Sequence, residues 1–197
     1  MHLVFDIFQG IGVAAAVGIR PFVPALAVGA LGAGDVELHL KHTHFAFLQS
    51  VPFLLGMVVG AIVCALLERR LGAEKSRQRP YSLVPVAFGV ALGALLFAGM
   101  LCRGGYATWP GIIGGVICAA IGAAATGPLL GRVRSRLDES AASMLPLLVE
   151  GSAIVLAVLS VVAPPVGVIA LAVLLWLLYA GRGRDEQKYA GLRILGK

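Results

Sequence analysis

Charged residues in this chain are confined to a few short stretches, and between them the sequence runs apolar for about 20 residues at a time, the length an α-helix needs to cross a hydrocarbon layer. Six such runs can be delimited, at residues 3–34, 45–67, 82–101, 110–131, 144–163 and 166–181. A soluble core could not absorb them. Hydrophobic residues make up 59% of the chain and mean hydropathy is +0.92, against an apolar share of about 45–50% in soluble domains. Backbone polar groups in lipid must be satisfied within each segment, which leaves helices as the natural solution for runs of this length. The expected fold is therefore an all-α integral membrane protein of six transmembrane helices, forming a single domain over residues 1–197.

Lysine and arginine assign the expected orientation. Arg69, Arg70, Lys75, Arg77 and Arg79 fall after the second run, Arg132, Arg134 and Arg136 after the fourth, and Arg182, Arg184, Lys188, Arg193 and Lys197 after the sixth. The remaining connections hold only Lys41 and Arg103. Cytoplasmic loops carry such an excess, so six spans with both termini in the cytoplasm satisfy the bias throughout. The formal net charge of +6 is thus a topology signal. Nucleic acid is not an expected partner, because the basic residues are dispersed over three short segments beside apolar runs. The start "MHLVFDIFQG" lacks the basic region of a cleavable leader, so the first run is expected to act as its own insertion signal. The absence of Asn and the Ala/Gly/Val/Arg bias fit a GC-rich bacterium, whose cytoplasmic membrane is the expected location.

The first run carries the residue that most needs explanation. Arg20 stands directly before Pro21 in "VAAAVGIRPFVPALAVGALG". The run is too long for one perpendicular helix: it tilts, begins as an interfacial segment, or breaks near Arg20–Pro21, and a break is the expectation because proline removes a backbone donor and restricts the residue before it. An ionised arginine inside a span costs on the order of 3 kcal/mol on insertion scales, so it must be compensated. Two readings follow. Its rigid fork of donors suits a carboxylate or phosphate in a cavity opened by the break, or it is a structural clamp, pairing with Glu150 or Asp6 or capping carbonyls freed by Pro21 and Pro24. Glu150, inside the fifth run, then either carries protons or serves as a fixed counter-charge. Asp6 and Glu68 read as boundary residues at the cytoplasmic edge.

Six runs also raise the question of duplication. "AAAVGIRPF" at residues 14–22 resembles "GAAATGPLL" at 122–130, each a small-residue run followed by a glycine and a proline in the first span of its half. The expectation is a 3+3 inverted-topology repeat, with residues 1–101 and 102–181 as its halves and 182–197 as a basic cytoplasmic tail. Pro-interrupted helices at matching positions of two halves point to a site near the membrane midplane. The candidate binding residues are Arg20, Gly18, Pro21, Glu150, Gly127 and Pro128.

Other features carry less chemistry. His39, His42 and His44 are weak metal candidates whose spacing fits no closed site, and nothing calls for a metal or cofactor. Cys64, Cys102 and Cys118 form no close pair and read as small apolar packing residues. Gly56/Gly60, Gly89/Gly93 and Gly127/Gly131 are small-xxx-small pairs that let helices approach, within the bundle or in a homodimer. The segment "GRGRDEQKYAGLRILGK" reads either as a solvated tail or as a basic, weakly amphipathic element lying on anionic headgroups. No HExxH, GxSxG, phosphate-binding glycine loop or two-metal carboxylate cluster is present, so an enzyme is not expected.

The order of "GIRPF", "FLQS", "ALLERRLGAEK", "GGVICAAIGAA" and "LLVEGSAIVLAVLSVVAP" resembles the bacterial membrane-protein family catalogued as domain of unknown function 4126, over residues 11–180. The resemblance implies a Gly-x-Arg in the first span, matched by Gly18 and Arg20, and a Glu-Asp pair in the fifth, matched by Glu150 but not by Gly151. It implies no activity. The residues together suggest a small transporter or channel for an anionic solute or lipid headgroup at Arg20, with membrane lipids as surroundings. The alternative is a non-transporting scaffold that uses the same charges to lock its bundle.

Overall fold

The computed structural model describes residues 2–34, 43–75, 83–134 and 136–194. Among these the chain forms seven α-helices, one short 3-10 turn and no strand. The helices are α1 (His2–Ile19), α2 (Phe22–Ala33), α3 (Val51–Lys75), α4 (Leu83–Arg103), α5 (Trp109–Arg134), α6 (Glu139–Val162) and α7 (Pro165–Ile194), with the 3-10 turn at Ala46–Gln49. Four of them contain stretches long and apolar enough to cross a membrane: Val51–Arg70, Leu83–Arg103, Trp109–Arg134 and Ser140–Val162. Prolines mark several starts. Pro52, Pro85, Pro110 and Pro165 all lie within the first three residues of a helix, where a missing N–H would have had no intrahelical acceptor.

The long first run does break, between α1 and α2. The last α1 bond runs from the Arg20 N–H to the Ala16 carbonyl at 3.1 Å. Pro21 and Pro24 lack the N–H groups that would bond the Val17 and Arg20 carbonyls, so the helix cannot continue. The two pieces then double back. Phe22 lies against Gly60 and 5.7 Å from the Phe88 ring, while Gly29 meets Leu48, which also touches Gly99. Since Gly89 of α4 sits beside Val17 and Arg103 pairs with Asp6, α2 returns toward the end where α1 began. At 12 residues it is about 18 Å long, short of a full crossing.

The six-span expectation is not confirmed. Among the described residues there are seven helices, and their directions alternate, so α1 starts at the Arg103 end of the bundle while α7 passes Gly181, beside Arg132, at the Arg20 end. Asp6 does not share an edge with Glu68, because almost the whole of α1 separates them. The basic connections still converge on one end, since α3, α5 and α7 all run toward Arg20.

Nor is the expected inverted repeat confirmed. Pro21 ends a helix, whereas α5 continues through Pro128 to Arg134, with the Thr126 hydroxyl donating to the Gly122 carbonyl at 2.8 Å one turn before it. The two matching segments also lie side by side and parallel. α4 gives the sense: its Gly89 and Gly93 meet Val17 and Ala14, and its Gly93 and Ala98 meet Gly115 and Gly111, so it runs antiparallel to both α1 and α5. Copies related by a two-fold axis in the membrane plane would run in opposite directions.

α1 is the centre of the bundle. Residues 13–17 have no exposed surface, and α4, α5, α6 and α7 surround them through glycines. Gly10 lies on the Phe97 ring, Gly12 on Ser160 and Gly167, Gly18 on Ala119, and Gly93 on Ala14 and Ala119. Of the expected glycine pairs, Gly89/Gly93 packs as read, Gly60 meets only the Phe22 ring, and Gly56 and Gly127 have no neighbour within 4 Å. α3 is the outlier: it packs on α2 and the 3-10 turn, and its apolar stretch is nowhere buried. Lipid contact is the environment in which such a helix is stable.

A close approach of this kind is testable by adding one methyl group. Gly18→Ala places a Cβ against backbone that cannot yield, so it should destabilise the detergent-solubilised protein by about 1–3 kcal/mol. Gly56→Ala, with open space at the same position type, should be neutral or slightly stabilising. SDS-titration unfolding measures both, and equal effects would contradict the packing.

Candidate functional site

At the Arg20 end the helices do not close. Because α1 turns back at Pro21 and α3 stands off from the bundle, a cleft of about 600 Å³ opens between the break, α3, the start of α4, the end of α5 and the start of α6. Its size is that of a small-molecule site. Five of the six residues expected from sequence line it: Gly18, Arg20, Pro21, Gly127 and Glu150. Pro128 is not among the lining residues. The cleft lies at the end of the bundle rather than at its middle, since Arg69 and Arg134, which belong to the basic segments, also line it.

Arg20 is compensated, but by a partner that the sequence reading passed over. Its Nη1 donates to Glu68 Oε1 at 2.5 Å, with the two side chains 18% and 34% exposed. Of the two partners expected for it, Glu150 and Asp6, the second lies toward the other end of α1, paired with Arg103. Glu150 lies near enough for its charge to act on both Arg20 and Glu68, yet among the described residues its carboxylate makes no hydrogen bond or ion pair. Neither do Arg69 and Arg134. The lining thus holds one satisfied pair, one unpartnered carboxylate and two unpartnered guanidinium groups, with Cys64, Thr126 and Ser143 as further polar atoms. Such a set can hold charged groups of a small ligand but offers no activated nucleophile with its base.

Glu68, Cys64 and Arg69 are the residues that sequence reasoning missed here. Their signal is present: Cys64 and Glu68 stand four apart in α3 and so on one helical face, and Glu68 directly follows apolar Leu67. Arg69 and Arg70, which follow it, give it the look of a boundary acid.

A second polar group seals the opposite end. Asp6, 3% exposed, accepts from Arg103 Nη2; the same nitrogen donates to Gln9 Oε1 at 3.0 Å, and Gln9 Nε2 donates to the Val161 carbonyl at 2.7 Å. The last bond has a simple cause. The Val161 carbonyl would normally receive the N–H of residue 165, which is a proline, so a buried acceptor is left open and Gln9 fills it. Gly104 permits the approach, since a Cβ there would lie 2.6 Å from Asp6 Oδ2.

His39 and His42 lie outside the described residues. Among the described residues no three His, Cys, Asp or Glu side chains converge as a metal site would require. No family model, no curated protein and no solved structure matches the chain.

The two charged pairs differ in what their loss should do. Asp6→Asn removes a buried carboxylate charge from the network around Arg103 and should destabilise by about 3 kcal/mol. Glu68→Gln breaks a pair open to solvent and should cost about 1–2 kcal/mol, and Glu150→Gln, which breaks nothing, should be near neutral. The rank order in SDS-titration unfolding is the check.

Proposed function

We propose that this chain is a small membrane transporter whose solute site is the cleft beside Arg20. One observation carries the reading: an otherwise close-packed apolar bundle keeps a cleft of about 600 Å³ at a broken helix and lines it with Glu150, a carboxylate that no described residue partners. Intramembrane charges are expensive, and those without a structural partner are functional by default. Helices that needed only to pack would have closed over this space.

The arrangement favours a carrier over an open pore. Residues 13–17 are fully enclosed, and the Asp6–Arg103–Gln9 group ties α1 to α4 and α6 at the far end. In this reading the cleft is the solute site in a state open toward the basic end, and that end faces the bacterial cytoplasm, in keeping with the lysine and arginine bias. Arg20 and Glu68 form a releasable link between the α1–α2 break and α3. An arriving acid group competes with Glu68 for the guanidinium, and Glu150 balances charge or carries a proton. Membership in the bacterial family that the sequence resembles belongs to the same reading and rests on the quoted motifs alone.

A scaffold is the second reading, and the Arg20–Glu68 pair favours it, because a satisfied arginine needs no ligand. Accessibility separates the two. Thr126 lines the cleft, so Thr126→Cys, in a background with Cys64, Cys102 and Cys118 replaced, reports on it. A carrier should be labelled by a membrane-impermeant maleimide rapidly from the basic face and more slowly from the opposite face, in vesicles of each orientation. Labelling from one face alone would leave the scaffold, and labelling from neither would remove the site.

A further inference from the structure

The charges in the cleft go further than an anion site. Arg20 is already engaged by Glu68 at 2.5 Å, so the arginine on which an anion reading depends is neutralised in place. What remains unpartnered among the described residues is one negative group, Glu150, and two positive groups, Arg69 and Arg134, all lining the same cavity. A simple anion would meet the arginines and be repelled by Glu150. A simple cation would meet Glu150 and be repelled by the arginines. Only a ligand that carries both signs satisfies the whole set.

The positions of the groups fix which sign lies where. Glu150 sits in the fourth turn of α6 and is half-buried, while Arg69 and Arg134 lie near the last turns of α3 and α5, where the helices pass into their basic segments. A guanidinium at such a helix end is at the level of phosphate groups in a bilayer, and its planar fork matches phosphate oxygens. An ammonium placed deeper, against a carboxylate with no other partner, completes the pairing. We propose that the cleft binds an ammonium phosphate ester, with the ammonium on Glu150 and the phosphate on Arg69 and Arg134. That chemistry is shared by soluble phosphoethanolamine and by an ethanolamine phospholipid headgroup. The inference rests on the cleft being a ligand site, as the transporter reading holds, but not on transport.

Cys64 lines the cavity and provides a native reporter. The full chain carrying Cys102→Ser and Cys118→Ala, in phosphatidylglycerol nanodiscs, is alkylated by a maleimide in the presence of phosphoethanolamine, of ethanolamine, of inorganic phosphate, or of the last two together. Phosphoethanolamine should slow alkylation about tenfold at ten times its dissociation constant, and the separate ions should not. Protection only when the nanodiscs contain phosphatidylethanolamine would support the same chemistry with a lipid as its source. Glu150→Gln should abolish the protection while leaving the unfolding midpoint unchanged. Equal protection by phosphate alone or by ethanolamine alone, protection that survives Glu150→Gln, or no protection in any arm would overturn the proposal. Labelling of Thr126→Cys from one face only, with zwitterion protection intact, would remove transport and leave the ligand; two-faced labelling with protection by phosphate alone would do the reverse.

Discussion

The structure depends on how closely other backbones can approach α1. Between Gln9 and Gly18 this helix carries mainly Gly, Ala and Val, and its middle is enclosed on all sides. Lipid supplies no hydrophobic drive between helices, so association in that solvent comes from van der Waals packing, which small residues maximise by letting helices close on one another. Gly10, Gly12 and Gly18 each leave no room for a methyl group against a different neighbour. A central helix of this composition cannot carry charge in its enclosed middle, and it does not: Asp6 lies in its first half, Arg20 directly follows its last residue, and residues 10–19 are all apolar or glycine.

Those ends are treated differently. At one, Asp6, Arg103, Gln9 and the Val161 carbonyl form a connected and largely buried network, which costs least in low dielectric when every member is satisfied. At the other, Pro21 stops the helix, α2 folds back and α3 is held away, leaving Arg20 and Glu68 part-exposed over a cavity. One end of the bundle is thus rigid and closed, and the other is open and only partly compensated. That asymmetry, more than any single residue, is what makes the basic end the place to look for function.

Much of the helical frame was legible from the order of residues. Five of the six expected runs, at 45–67, 82–101, 110–131, 144–163 and 166–181, fall on α3 to α7, and most of these helices overrun the apolar windows because helix propensity does not stop where hydropathy falls. The break at Arg20–Pro21 was readable because a missing N–H is a covalent fact. The reversal at that break was not, since proline ends a helix without fixing where the chain goes next. The seventh helix, the separation of Asp6 from Glu68 and the parallel course of α1 and α5 all follow from the reversal.

By itself the sequence determined the solvent, the helical class, the break and five of the residues that line the cleft, because each of these depends on composition, on spacing along one helix or on the chemistry of a single residue. Only the tertiary structure decided the partners. Arg20 meets Glu68 rather than Glu150 or Asp6, Gln9 answers a carbonyl that Pro165 leaves open, and Glu150 has no hydrogen-bond partner among the described residues. Which charges meet is set by how helices distant in sequence are brought side by side, and in this bundle that arrangement is chosen by glycine contacts across α1 that carry no charge at all.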